Sequence, residues 1–378
     1  MLIIICGLLT TGYALLLMAY KKGWALQENF SVQAGYTPHT LISVIIPARN
    51  EAANIGACID AILAQKYPDD LFEIIIVDDH SDDNTVNIVQ GYSINKIRCI
   101  KLSDTIDSNA RINAFKKAAL AAGITQSRGE LIVTTDADCI APHSWLLHIA
   151  ALYEQQQAAM IVAPVIYATD HSLIQIFQLI DFMSMQGITA AAHRLRLGNM
   201  SNGANLAFQK TAYEAVGGYE GISHLASGDD YLLMMKINKA FPEGIAYLKS
   251  VNAIVSTAPQ PDWKSFLQQR IRWASKSGKY NDSPLTGILI LVYLFNLSFV
   301  ALLCAGIFHP LYFYLLAGML VIKITAEYLF LKPVAHFFNK AWPLKYLPFL
   351  QPLHILYIVL AGLLGFMGGY EWKGRKVK

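Results

Sequence analysis

Residues 132–140 read IVTTDADCI. Ile132, Val133, Thr134 and Thr135 are β-branched and predict a buried strand. The strand runs into Asp136 and Asp138, which at i and i+2 of an extended chain point to the same side. Two carboxylates placed together repel each other unless something positive sits between them. Either they flank a cation or they are solvated residues of a turn.

Three further stretches upstream have the same form. LISVIIP (41–47), FEIIIVDDH (72–80) and KIRCIKL (96–102) are apolar runs, and ELIVTTDAD (130–138) completes the series. Helical patterns follow them from about residue 52, near 84–92, near 110–122 and from Pro142. Continuous apolar strands separated by helices imply a parallel sheet covered on both faces. Ligands of such sheets bind at the carboxyl ends of the strands. PARNE follows the first strand, DDHSDDNT the second and DADC the fourth. Any one of these loops is explained by turns and helix caps. Three on one sheet edge describe a mouth for a cation and a polar ligand.

The 378 residues are 54% hydrophobic and only 15% charged, against about 25% charged in a soluble domain. Leu2 to Tyr20 is uncharged and long enough to cross a hydrocarbon core of about 30 Å. Lys21 and Lys22 come after this run, not before it as in a signal peptide, so an uncleaved anchor is expected. The positive-inside rule then puts the N-terminus outside and the following residues in the cytoplasm. Further spans are expected at 285–307, 311–331 and 347–368. Lys323 and Glu327 lie one helical turn apart in the second of these. They either pair or face a cavity. Three crossings would leave the basic tail WKGRKVK outside, against the same rule, so the parity of this region stays open. A net charge of +3 does not suggest nucleic acid. The five cysteines are scattered and read as reduced thiols. The expected division is a 1–22 anchor, a 41–260 cytosolic domain, a 261–282 amphipathic interfacial helix and a 285–370 transmembrane region.

The chain resembles the family 2 glycosyltransferases in their membrane-anchored form. The resemblance rests on VIIPARNEAANI (44–55), IIIVDDHSDDNT (74–85), FKKAALAAGI (115–124), GELIVTTDADC (129–139), SNGANLAFQKTAYEAVGGYE (201–220), SGDDYLL (227–233) and QQRIRW (268–273), in family order. It implies an α/β fold: a GT-A-type nucleotide-sugar-binding domain with a mostly parallel central sheet, flanked by transmembrane helices. It also implies that Asp138 and Asp136 hold a divalent metal, Mg²⁺ or Mn²⁺, against the donor diphosphate. Such hard cations prefer carboxylate and phosphate oxygens.

By the same resemblance, Ala48, Glu51 and Asp79 line the nucleoside pocket, while Asp78, Asp82 and Asp83 read as caps. Lys116 matches a family lysine near the diphosphate, although Phe115 stands where glycine is usual, and a solvated helix face explains it equally well. Asp230 aligns with the catalytic base and Asp229 replaces a commoner glutamate. An N-cap pair at a helix start is the bland reading of both. Gln269, Arg272 and Trp273 form Q-x-x-R-W. Arginine offers a fork of donors suited to diphosphate, and the indole can stack on an acceptor sugar. The surrounding stretch 262–280 also reads as a helix lying on the bilayer surface. Gly203 and Asn205 belong to an expected acceptor wall, where a turn explains Gly203 equally well.

The implied activity is inverting, metal-dependent transfer from a nucleotide diphosphate sugar, with UDP expected from family frequency. The acceptor is expected to be a lipid or lipid-linked glycan at the cytoplasmic face of the inner membrane. A processive polysaccharide synthase is the alternative. A non-catalytic nucleotide-sugar-binding subunit is the remote one, because Asp138, Asp230 and Trp273 are all present.

Overall fold

The computed structural model describes residues 1–105, 113–169, 172–198, 200–225, 227–275 and 282–367, and the backbone of 370–372 and 375–377. The first part of the helix expected near 110–122, the end of the stretch 262–280 and the side chains of the basic tail lie outside the described residues. The chain forms two compact units.

The α/β unit comprises residues 28–168 and 200–258. Its elements are β1 (Ile42–Ala48), α2 (Ile55–Leu63), β2 (Phe72–Asp78), α3 (Thr85–Gln90), β3 (Ile97–Lys101), α4 (Phe115–Thr125), β4 (Leu131–Thr134), β5 (Cys139–Ile140), α5 (Trp145–Gln156), β6 (Met160–Val162), β7 (Val165–Tyr167), β8 (Leu206–Gln209), α7 (Lys210–Ala215), α8 (Asp229–Ala240), β9 (Ile245–Tyr247) and β10 (Val255–Thr257). A seven-stranded sheet runs in the order β3-β2-β1-β4-β8-β6-β9. β1 pairs in parallel with β2 and β4, and β2 with β3. β8 is antiparallel to both β4 and β6. A small sheet, β5-β10-β7, stands beside it.

The four strands expected from sequence are all present and parallel. Ile42, Ile45, Ile74, Ile76, Ile132 and Val133 are fully buried, and each such side chain contributes about 1.5–3 kcal/mol of burial. The short strands β6, β7, β9 and β10 have three residues each. That is too few for a period-2 pattern to stand out.

The starts of the strands are clamped by one carboxylate. Glu73 is 1% exposed. It accepts from Ser43 Oγ (2.7 Å), the Arg128 amide (2.6 Å), Arg98 Nη2 (2.9 Å) and Arg128 Nε (3.1 Å). Gly129 beside it must be glycine, because a Cβ there would lie 2.5 Å from the Ser43 amide nitrogen.

The helical unit comprises residues 1–27, 169–199 and 259–378. It holds α1 (Leu2–Leu26), α6 (Leu173–Leu195), α9 (Trp263–Ala274), α10 (Ser283–Gly306), α11 (Leu311–Phe337) and α12 (Leu347–Met367), followed by the hairpin β11 (Tyr370–Trp372) and β12 (Arg375–Val377). Helix α6 thus packs with α1 and α11 although it falls inside the segment 41–260. Four helices among the described residues are long and apolar enough to cross a membrane: Leu2–Leu26, Ser283–Gly306, Leu311–Phe337 and Trp342–Met367. Lys323 and Glu327 do pair, and both are buried. Lys323 also donates to Gln351 Oε1 (2.7 Å), and the Tyr13 hydroxyl donates to Glu327 (2.6 Å). The charges are enclosed by helices, which is how ionisable groups are accommodated at membrane depth.

Candidate active site

The carboxyl ends of β1, β2 and β4 carry the expected mouth. The Asp79 amide donates to Ala48 O at 2.7 Å, which ties the ends of β1 and β2 together. Asp79 is buried, with Oδ1 2.9 Å from His80 Nδ1 and 3.9 Å from Arg49 Nη1. Asp78 accepts from the Ser81 amide at 3.3 Å, and Asp83 accepts from the Thr85 and Ala52 amides at 2.9 and 3.0 Å. Those two aspartates are therefore loop caps. The Glu51 amide donates to Thr85 Oγ1 at 2.8 Å, and its carboxylate accepts from Asn54 Nδ2 at 2.8 Å.

Beyond β4 the acidic residues gather around a lysine. Lys116 sits in the first turn of α4, and its Nζ donates to Asp136 Oδ1 at 2.6 Å and lies 3.3 Å from Asp229 Oδ2. Burial alone would lower its pKa, but Asp136, Asp229 and Asp230 outweigh it and hold the ammonium above its ordinary value. Phe115, the departure from glycine, begins α4 and meets the His80 ring edge-on at 5.9 Å. The helix accommodates it without a left-handed residue.

Antiparallel pairing of β8 with β4 carries the loop 201–205 to the same place. Thr134 Oγ1 donates to Gly203 O at 3.0 Å. The Gly203 amide donates to Asp230 Oδ2 at 3.1 Å. A Cβ on Gly203 would sit 3.2 Å from Asp229 Oδ2 and 3.6 Å from Lys116 Nζ, so a side chain would crowd this point. Asp229 and Asp230 open α8, where the N-terminal end of a helix favours negative charge.

Asn205 needs correction as an acceptor contact. It is fully buried, donates to Pro164 O and Ala253 O at 2.8 Å each, and accepts from Trp145 Nε1 at 2.8 Å. Its hydrogen-bonding capacity goes into joining β8 to neighbouring loops.

Asp136, Asp138 and Cys139 offer ligand atoms all within 4.8 Å of one another. Burial, then Asp136 and Asp138, push the Cys139 thiol well above its usual range. It stays protonated and is a poor ligand for a hard cation. Burial, then Asp136 and Glu51, raise the Asp138 carboxyl. A divalent cation would remove that repulsion, so the two aspartates fit one.

Two lysines missed by motif reading hold the approach to α8. Lys117, 1% exposed, donates to the carbonyls of Ile222 (3.1 Å), Leu225 and Ser227 (3.0 Å). Lys236 donates to Gly218 O and Glu220 O at 2.6 and 2.8 Å. For Lys117 the signal was the doubled lysine in FKKAAL, whose members point about 100° apart on a helix; no motif marks Lys236.

Gln269, Arg272 and Trp273 lie on α9 of the helical unit. Asp262 caps this helix by accepting from the Ser265 amide at 2.8 Å.

Comparisons with known proteins agree with this architecture. A probable glycosyltransferase of Bacillus subtilis, YdaM, is 29% identical over 240 residues, covering 62% of this chain and 54% of that protein. The beta-monoglucosyldiacylglycerol synthase of Trichormus variabilis is 26% identical over 122 residues, covering 32% of this chain and 25% of the synthase. The chain thus spans about half or less of the length of these relatives. Among solved structures, a mannosyltransferase from Pyrobaculum calidifontis in complex with GDP-Man and Mn²⁺ superposes with a TM-score of 0.59. It is 19% identical and covers 96% of this chain and 99% of its own. That likeness establishes the fold. Residues 43–176 match glycosyl transferase family 2, and residues 131–367, more than half of the chain, match glycosyl transferase family group 2. With the mostly parallel sheet and the acidic mouth at its carboxyl edge, these matches place the chain in glycosyltransferase family 2.

Proposed function

We propose that the chain transfers a sugar from a nucleotide diphosphate sugar, UDP-linked by family frequency, to a lipid or lipid-linked glycan at the cytoplasmic face of a membrane. The observation that carries this reading is the gathering of Asp136, Asp229 and the Gly203–Asp230 pair around Lys116. The apolar helices of the second unit anchor the enzyme in the inner membrane, as an integral, multi-pass protein with its catalytic domain in the cytoplasm. The Trichormus synthase, named for a glycolipid product, supports a lipid acceptor.

Asp230 is the base. It takes the proton of the acceptor hydroxyl as that oxygen bonds to the anomeric carbon. The bond from that carbon to the diphosphate breaks, and its electron pair leaves with the nucleoside diphosphate. Direct displacement inverts the anomeric centre. Lys116 places its positive charge where the leaving diphosphate accumulates negative charge. Asp229 holds Lys116 in place and shares the acidic edge with Asp230. Asp138 and Asp136 would hold Mg²⁺ or Mn²⁺, which would supply Lewis acidity to the leaving group. Ala48, Glu51 and Asp79 face the nucleoside. Arg272 and Gln269 serve the donor, and Trp273 serves the acceptor, as the Q-x-x-R-W resemblance implies.

The test is to incubate the detergent-purified protein with Mn²⁺, membrane lipid extract and a panel of radiolabelled nucleotide sugars. Label in a small organic-soluble product is expected. Label in a large polymer would replace this reading with a polysaccharide synthase. Unchanged donor on every member of the panel would leave a nucleotide-sugar-binding subunit.

A further inference from the structure

We propose that Arg270, an unassigned position inside Q-x-x-R-W, is a positioning residue that sets both ends of the motif, and that Asp181 sets Arg270. The proposal rests on the reading above that Gln269 and Trp273 serve the reaction.

Arg270 is 4% exposed and lies in the helical unit together with all its partners described here. Its Nε and Nη2 donate to Asp181 Oδ2 at 2.9 and 2.6 Å. Its Nη1 donates to Gln269 Oε1 at 2.6 Å. The guanidinium carbon lies 4.2 Å from the Trp273 ring centroid and 4.6 Å from that of Phe266. Asp181 comes from α6, is 5% exposed, and accepts from the Tyr357 hydroxyl of α12.

The guanidinium is buried and engaged on its edge and its face, so its work is to hold its neighbours. On a helix, Arg270 and Trp273 are i and i+3 and share a face. A cation over the indole favours one ring orientation. With Oε1 committed to Arg270, the Gln269 amide is turned so that its NH₂ faces away from the guanidinium. A lysine could neutralise Asp181 but could not also bond Gln269 and stack on the indole, because its ammonium is a point charge without a planar fork.

The experiment compares Arg270→Lys, Asp181→Asn, Gln269→Ala and Trp273→Ala in detergent-purified full chain. The assay uses a radiolabelled nucleotide sugar turned over by the wild type, Mn²⁺, and vesicles of membrane lipid extract. Arg270→Lys is expected to lower lipid-product formation 10- to 100-fold and raise the ratio of free sugar to lipid product. The donor KM should rise severalfold, because Gln269 is released, with the larger loss in transfer to lipid. Asp181→Asn should shift the same ratio, Asp181→Glu should recover part of it, and the Asp181→Asn/Arg270→Lys pair should be less than additive. Wild-type partition in Arg270→Lys, with Gln269→Ala and Trp273→Ala both impaired, overturns the positioning role and leaves the motif reading intact. Wild-type transfer in Gln269→Ala and Trp273→Ala overturns the motif reading and this proposal with it. If Arg270→Lys does not fold, Tyr357→Phe takes its place. A two- to fivefold shift in the same ratio supports the proposal, and an unchanged ratio overturns it.

Discussion

The two edges of the central sheet both carry buried or half-buried acids, and they treat them in opposite ways. At the amino edge, Glu73 meets four donors, two of its partners being arginines. Burial works against its charge, but Ser43, Arg128 and Arg98 more than compensate and lower its pKa. At the carboxyl edge, Asp136, Asp138, Asp229 and Asp230 gather near Lys116, and the Asp138 carboxyl is raised. The first arrangement satisfies its charge internally and joins β1, β2 and β3 to the turn that leads into β4. The second sets several acids around one lysine and leaves the Asp138 carboxyl raised by burial and by Asp136 and Glu51. The two kinds of carboxylate are thus told apart by their neighbours, four donors around one acid against four acids around one lysine.

Substitutions at the two edges should separate activity from stability. Asp230→Asn should lower kcat on the order of 10³-fold while the protein melts within a few degrees of wild type by calorimetry. Loss of stability without loss of turnover would place Asp230 with the structural caps. Asp138→Ala should remove several kcal/mol of transition-state stabilisation, roughly a hundredfold or more in rate. It should also abolish Mn²⁺-dependent nucleotide binding by titration calorimetry. Because it relieves repulsion, the metal-free variant should melt no lower than wild type.

Glu73→Gln should do the reverse. It should cost about 1–3 kcal/mol, since the Ser43 and Arg128 amide bonds lose a charged acceptor while water compensates the exposed Arg98 and Arg128 side chains, with kcat per folded molecule unchanged. Chemical denaturation and turnover measured on one preparation decide this. The smallest effect is in pH. Glu73 has a lowered folded pKa, so its stabilisation is present above the unfolded value of about 4.3 and is lost as pH falls through the folded value. The stability gap between wild type and Glu73→Gln should therefore narrow below about pH 4. A constant gap would mean that Glu73 acts through shape and not charge.

The helical unit repeats the lesson of the amino edge. Lys323 with Glu327, and Arg270 with Asp181, are buried pairs whose charges cancel. Lys323 and Glu327 stand one turn apart, so their pairing was legible from spacing. The Arg270–Asp181 pair joins residues 89 apart in sequence, and no local pattern marks it.

The parallel strands were legible because each is an apolar run of ordinary length bounded by turn residues. The same holds for the helices of spanning length, whose long apolar runs have no other common explanation. The mouth was legible because three acidic loops follow alternate elements of such a sheet. Asn205 was misjudged because a polar residue in a glycine-containing loop resembles a ligand contact, whereas its amide is consumed by Pro164, Ala253 and Trp145.

By itself the sequence determined the four parallel strands, the acidic edge, the apolar helices and the order of motifs, since periodicity and residue type are local properties. Only the tertiary structure decided which acids are neutralised and which are held in repulsion. It also decided which lysine of FKKAAL meets the acids and which pins carbonyls, and that Arg270 spends its donors on Asp181 and Gln269. Those outcomes depend on distances of a few ångströms between residues far apart in the chain. Coulomb and hydrogen-bond energies at that range are set by the fold's geometry and by the exclusion of water.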